Sequence, residues 1–127
     1  MASIHAETEI ARPPDEVWKV VGDFDGLPTW APGIQNSVRE GNRRRLTAGT
    51  MEIVEEELSR DDGARTYSYG LVDSPGVEKH VVTVRAAPAG QGTKVTLDCE
   101  CEPESLSALF EPTYTSFVQA LKTHLEG

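Results

Sequence analysis

Residues 112–126, "PTYTSFVQALKTHLE", decide how this chain must fold. Tyr114, Phe117, Val118, Leu121 and Leu125 recur at steps of three and four, which draws one continuous apolar stripe down a helix. Pro112 would remove a hydrogen bond from a helix interior, so the pattern predicts a helix over 112–126, with residues 105–111 as a preceding turn or a kinked extension. Such a helix is about 22 Å long. A stripe of that length needs a large apolar partner, and the remainder of the chain offers one kind, a sheet.

Upstream, turn residues punctuate the sequence regularly: Gly41-Asn42, Ala48-Gly49, Asp61-Asp62-Gly63, Ser74-Pro75-Gly76 and Ala89-Gly90-Gln91-Gly92. Between them lie predicted strands at 34–40, 43–48, 51–60, 64–72, 77–87 and 93–102. The short connections favour antiparallel pairing. Ser3 to Ala11 adds a first strand, with Ile4, Ala6, Thr8 and Ile10 facing one way and His5, Glu7 and Glu9 the other. Arg12-Pro13-Pro14 stops it, and Pro14, Asp15 and Glu16 suit the first turn of a short helix that runs to Gly22. Asp23 to Gly26 break that helix, and Pro28 starts a second short turn. The expected order is β-α-β₆-α: an α+β fold in which a curved seven-stranded antiparallel sheet wraps a long C-terminal helix, with two short helices after strand 1. The gap between sheet and helix is a natural ligand cavity.

The 127 residues fit one domain, 1–127. The net charge of −9 argues against nucleic acid and gives no help at anionic membranes. No apolar run approaches the ~20 residues that span a bilayer. The first residues lack the charged and apolar regions of a signal peptide, so a cytoplasmic location is expected. Cys99 and Cys101 stand two apart on a strand, at the limit of disulfide geometry, and free thiols fit that compartment. The run Arg43-Arg44-Arg45 opens a strand after a turn, with anion binding as the alternative. No phosphate loop, nucleophile elbow or zinc motif is present, and His5, His80 and His124 share no ligand spacing. No metal and no cofactor is expected.

Taken together, "PPDEVWKVVGDFDGLPTWAPGI" (13–34), "RRLTAG" (44–49), "VEEELSRDDGARTYSYGLVDSPGV" (54–77) and "GTKVTLDCECEP" (92–103) resemble the SRPBCC superfamily. These are helix-grip proteins related to START lipid-transfer domains, the birch pollen allergen and the polyketide cyclase/dehydrase group. The resemblance implies a helix-grip fold with an internal cavity, and it implies an acidic cavity residue in the strand before Tyr67-Ser68-Tyr69, matched by Glu56 or a neighbour. His80 and Leu97 stand where the family often has aromatics.

Strand register gives a candidate constellation. Tight turns over 61–63 and 73–76 place Glu56 opposite Tyr69 and Tyr69 opposite His80, an inward row of acid–base groups. The strand itself leaves its inward face open between Thr50/Glu52/Val54/Glu56/Leu58 and Met51/Ile53/Glu55/Glu57, with a bulge as a further option; the family resemblance selects Glu56. If the row forms, a carboxylate and a histidine trade a proton near neutral pH while Tyr69 donates to a carbonyl. Trp30, Tyr67, Val82, Leu97, Cys99, Cys101, Tyr114, Phe117 and Leu121 are expected to line the cavity, with Trp30 as a wall or gate.

Three functions fit. The first is a carrier of a small hydrophobic or aromatic molecule. The second is a cofactor-free cyclase or dehydratase using Glu56, Tyr69 and His80. The third is a subunit that docks a protein or peptide. Either a monomer or a homodimer is compatible with the sequence.

Overall fold

A computed structural model describes residues 1–127. Nine-residue strand β1 (Ala2–Ile10) leads through helix α1 (Pro14–Val21) and the single turn α2 (Leu27–Trp30) into six further strands. These are β2 (Asn36–Glu40), β3 (Arg43–Ala48), β4 (Met51–Asp61), β5 (Thr66–Leu71), β6 (Lys79–Ala89) and β7 (Gly92–Glu102). Helix α3 (Ser107–Glu126) closes the chain after a 3-10 turn at Glu104–Leu106.

All seven strands form one antiparallel sheet in the order β1-β7-β6-β5-β4-β3-β2. The expected helix-grip architecture is present. The short helices form where the sequence signals them. Pro14 occupies the first turn of α1, Asp15 and Glu16 sit at its positive end, and Gly22 receives it. A Cβ at Gly22 would lie 2.6 Å from the Trp18 ring, so only glycine lets that indole fold back over the helix end. Asp23 then makes the turn, its Oδ1 accepting from the Asp25 backbone N–H at 3.1 Å.

Two expectations change. Helix α3 begins at Ser107 with Pro112 inside it, so the residues before Pro112 extend the helix rather than form a separate preceding turn. Pro112 is exposed, and the Ala108 carbonyl that loses its helical donor is on an exposed residue as well, where water can satisfy it. The β4–β5 register also differs. Glu57, not Glu56, stands opposite Tyr69, and a bulge between Glu57 and Ser59 shifts the pairing by one. Leu58 occupies the bulge and is exposed, and across the sheet Tyr69 faces Val82, not His80.

The core sits between α3 and the β1–β7–β6 end of the sheet, where α3 lies along β1. Ile4, Ala6 and Ile10 of β1, Val95, Leu97, Cys99 and Cys101 of β7, and Val82, Val84 and Ala86 of β6 are buried there. From the helix come Tyr114, Val118 and Leu121. Val82, Val95 and Cys101 have no measurable exposure, so this half is closed to ligand.

Candidate functional site

The other half of the inner face is not filled. Between β3–β5, the segment after α2 and the N-terminal half of α3 lies a cavity of about 800 Å³. Its walls are largely apolar: Leu46, Ile53 and Leu71 from the sheet, Leu27 and Ile34 from the α2 region, and Leu109, Phe110 and Phe117 from α3.

An ion pair lies in the wall of this apolar space. On β3, alternation sends Leu46 inward, and Arg44 two residues earlier must point the same way. Its direct cross-strand partner is Glu55. Arg44 Nε donates to Glu55 Oε1 at 2.9 Å, Nη2 lies 2.7 Å from the same oxygen, and Nη1 donates to the Phe24 carbonyl at 2.7 Å. The guanidinium lies over the Phe24 and Tyr69 rings, 4.2 and 4.7 Å from their centroids. Arg44 is wholly buried, and Glu55 is 8% exposed. Burial opposes the Arg44 charge, but the charge of Glu55 beside it outweighs that and holds the guanidinium above its ordinary range. Burial pushes the Glu55 carboxyl up, and Arg44 pulls it back only in part. Glu55 Oε2 accepts no hydrogen bond from the protein, and Glu55 lines the cavity.

A second polar group stands beside it. His80 Nδ1 accepts from the Leu71 backbone N–H at 3.3 Å, and its Nε2 lies 2.6 Å from Tyr114 Oη. With Nδ1 accepting, the ring hydrogen of the neutral imidazole sits on Nε2 and is donated to Tyr114. The Tyr114 hydroxyl therefore has its own hydrogen left to give. Gly70 makes the arrangement possible: a Cβ there would lie 2.4 Å from the His80 carbonyl oxygen. Phe110 packs on both, its ring centroid 4.7 Å from that of His80 and 5.8 Å from that of Tyr114.

Burial lowers the His80 pKa to about 4, so the ring is neutral at physiological pH. Proton trading between a carboxylate and this histidine near neutrality, as anticipated from sequence, is therefore not what the geometry holds. Burial also keeps the Tyr67, Tyr69 and Tyr114 phenols protonated by raising all three.

Of the anticipated residues, Tyr69, His80, Tyr114 and Phe117 line the cavity. Glu56 does not. It points to the outer face, where Asn42 Nδ2 donates to it at 3.2 Å and Arg43 lies 3.5 Å away. Glu55 holds the inward place. Trp30 is buried behind the wall, edge-on to Phe117 with centroids 5.9 Å apart, so it is neither wall nor gate. Tyr67 stacks under Tyr69 at 5.8 Å and meets Phe24, away from the cavity. Val82, Leu97, Cys99, Cys101 and Leu121 belong to the packed half. Both cysteines are free, and burial pushes the Cys99 thiol up to about 12, which makes it inert. No group of three or more His, Cys, Asp or Glu side chains is placed to hold a metal ion. No helix is long and apolar enough to cross a membrane.

The family model described as "Polyketide cyclase / dehydrase and lipid transport" matches residues 1–126. The chain belongs to that family. The protein XoxI from Bacillus cereus has a similar structure: 26% identity, TM-score 0.93, covering 99% of this chain and 96% of that one. A protein from Thermobifida fusca is 27% identical with a TM-score of 0.84, over 96% and 91% of the two chains. A START superfamily protein from Mycobacterium smegmatis shares the fold at 18% identity and a TM-score of 0.81, over 98% and 97%. No curated protein matches the chain.

Proposed function

We propose that this member of the polyketide cyclase/dehydrase and lipid transport family is a carrier that binds a small hydrophobic or aromatic molecule in the cavity between α3 and β3–β5. The observation that carries this reading is the cavity itself, about 800 Å³ with mainly apolar and aromatic walls. Its size suits a drug-sized molecule. Phe110, Tyr114 and Phe117 offer ring faces and edges, and the few polar groups fix orientation rather than supply affinity.

Cyclisation or dehydration of a carbonyl compound is the second reading. Glu55 favours it, because a buried carboxyl raised above its ordinary range suits general acid–base work beside the Tyr69 phenol. Carrier function fits better because the other groups are fixed: His80 is neutral and held at both nitrogens, and Arg44 is committed to Glu55 and Phe24.

Titration with the neutral dye Nile red tests the reading. Saturable fluorescence enhancement is expected in the wild type, and Ile53→Trp, which fills the cavity from β4, should abolish it while leaving the far-UV circular dichroism unchanged. Equal binding by a folded Ile53→Trp protein would refute occupancy of this cavity.

A further inference from the structure

The cavity contains charged residues, yet its cations are spoken for. Three arginines border it, Arg43, Arg44 and Arg45. Arg44 is sealed against Glu55, Phe24 and two aromatic faces. Arg43 pairs with Glu56, and Arg45 with Glu40 and Glu52. Glu40, Glu52 and Asp73 also border the space, in a chain of net charge −9. A ligand carboxylate entering this cavity meets no free cation and several anions. A ligand ammonium gains little at the inner end, because Arg44, 2.7 Å from Oε1 of the same carboxylate, already offsets the Glu55 charge and repels a second cation.

What remains open is a neutral pattern. Glu55 is more than nine-tenths buried and lines the cavity, with Oε2 taking nothing from the protein. That oxygen is an acceptor in search of a donor. The Tyr114 hydroxyl, already accepting from His80 Nε2, keeps its own hydrogen to give, to the neighbouring Tyr69 phenol or to an oxygen of a ligand. Oε2 is open to the cavity rather than sealed behind it, so a ligand hydroxyl can reach it and make a charge-assisted hydrogen bond.

We infer that the ligand is an uncharged apolar molecule bearing a hydroxyl group, phenolic or alcoholic, which donates to Glu55 Oε2 while an oxygen of the ligand accepts from Tyr114. The inference rests on the carrier reading above and narrows its ligand class.

The test uses the full chain and a series of naphthalenes at one position: unsubstituted, hydroxyl, carboxylate and aminomethyl, each titrated by calorimetry or by displacement of Nile red. The 2-naphthol is expected to bind about tenfold or more tighter than naphthalene, consistent with one hydrogen bond to a charged group. The carboxylate and the ammonium are expected to bind more weakly than the naphthol. In Glu55→Gln, Arg44 retains the amide oxygen, the amide nitrogen turns to the cavity, and the hydroxyl advantage should fall to nearly nothing. Equal binding of naphthol and naphthalene, a preference for either charged probe, or an undiminished hydroxyl advantage in Glu55→Gln would each overturn the inference. Nile red separates the two levels. If the dye binds but the naphthol has no advantage, the hydroxyl assignment fails alone. If neither the dye nor any naphthalene binds, the cavity reading fails with it.

Discussion

The two halves of the sheet's inner face follow one rule of alternation and reach opposite ends. On β6 and β7 the inward positions are Val82, Val84, Val95, Leu97, Cys99 and Cys101, small enough to seat α3 directly. On β3 and β4 they are Arg44, Leu46, Ile53 and Glu55, and the helix does not cover them. The first half is held by volume, the second by a charge pair and its aromatic cover. A cavity persists in the second half because a buried ion pair cannot simply be overlaid with aliphatic side chains without stranding Glu55 Oε2.

This contrast can be broken from either side. The largest effect is expected from Glu55→Ala, which leaves the Arg44 guanidinium buried and unpaired and should cost about 4 kcal/mol. Replacing the pair together, Arg44→Met with Glu55→Leu, should recover most of that loss in urea unfolding; a double variant as unstable as the single one would mean the pair is not the source. In the packed half, Leu121→Ala removes a 1%-exposed side chain and should cost about 3 kcal/mol. A loss below about 1 kcal/mol would show that this half relaxes or is already hollow.

The next effect depends on pH. The His80 pKa falls from its ordinary 6.5 to about 4 on folding. Between those values the unfolded chain binds more protons, so stability rises with pH. The contribution of the neutral ring is complete above pH 6.5 and is lost as pH falls toward 4, by up to about 3 kcal/mol. His80→Phe should flatten that part of the stability–pH curve. The smallest stability change is expected at the cavity wall. Phe110→Leu should shift unfolding by less than about 1 kcal/mol, because the side chain is only partly buried. Nile red affinity should nevertheless fall several-fold.

The fold was legible because its signals are local and repeated. Gly41-Asn42, Asp61-Asp62-Gly63 and Ala89-Gly90-Gln91-Gly92 mark the hairpins, and the 114–125 stripe demands a sheet beneath it. The packed half was legible for a related reason, since its strands alternate cleanly. The cavity half was harder to read. Thr50 to Leu58 carries glutamates on both faces, so β4 offers no hydrophobic vote between Glu55 and Glu56, and a one-residue bulge at Leu58 shifts the hairpin count. Arg44 was masked by its neighbours, because Arg43-Arg44-Arg45 reads as a solvated run. The signal that finds it is Leu46: on a strand, whatever lies two residues from an inward leucine is inward too. Ile53 marks Glu55 by the same logic. Trp30 shows the converse error, since a loop tryptophan near a cavity can serve as the support behind its wall.

The central claim, that ligand occupies only the half bearing Arg44 and Glu55, is tested most directly by methyl-resolved NMR during Nile red titration. Leu46, Ile53, Leu71 and Leu109 methyls are expected to shift and to show contacts to the dye, while Val84, Val95 and Leu97 stay in place. Dye contacts to the Val84–Val95–Leu97 set, with Ile53 and Leu71 unaffected, would contradict the account.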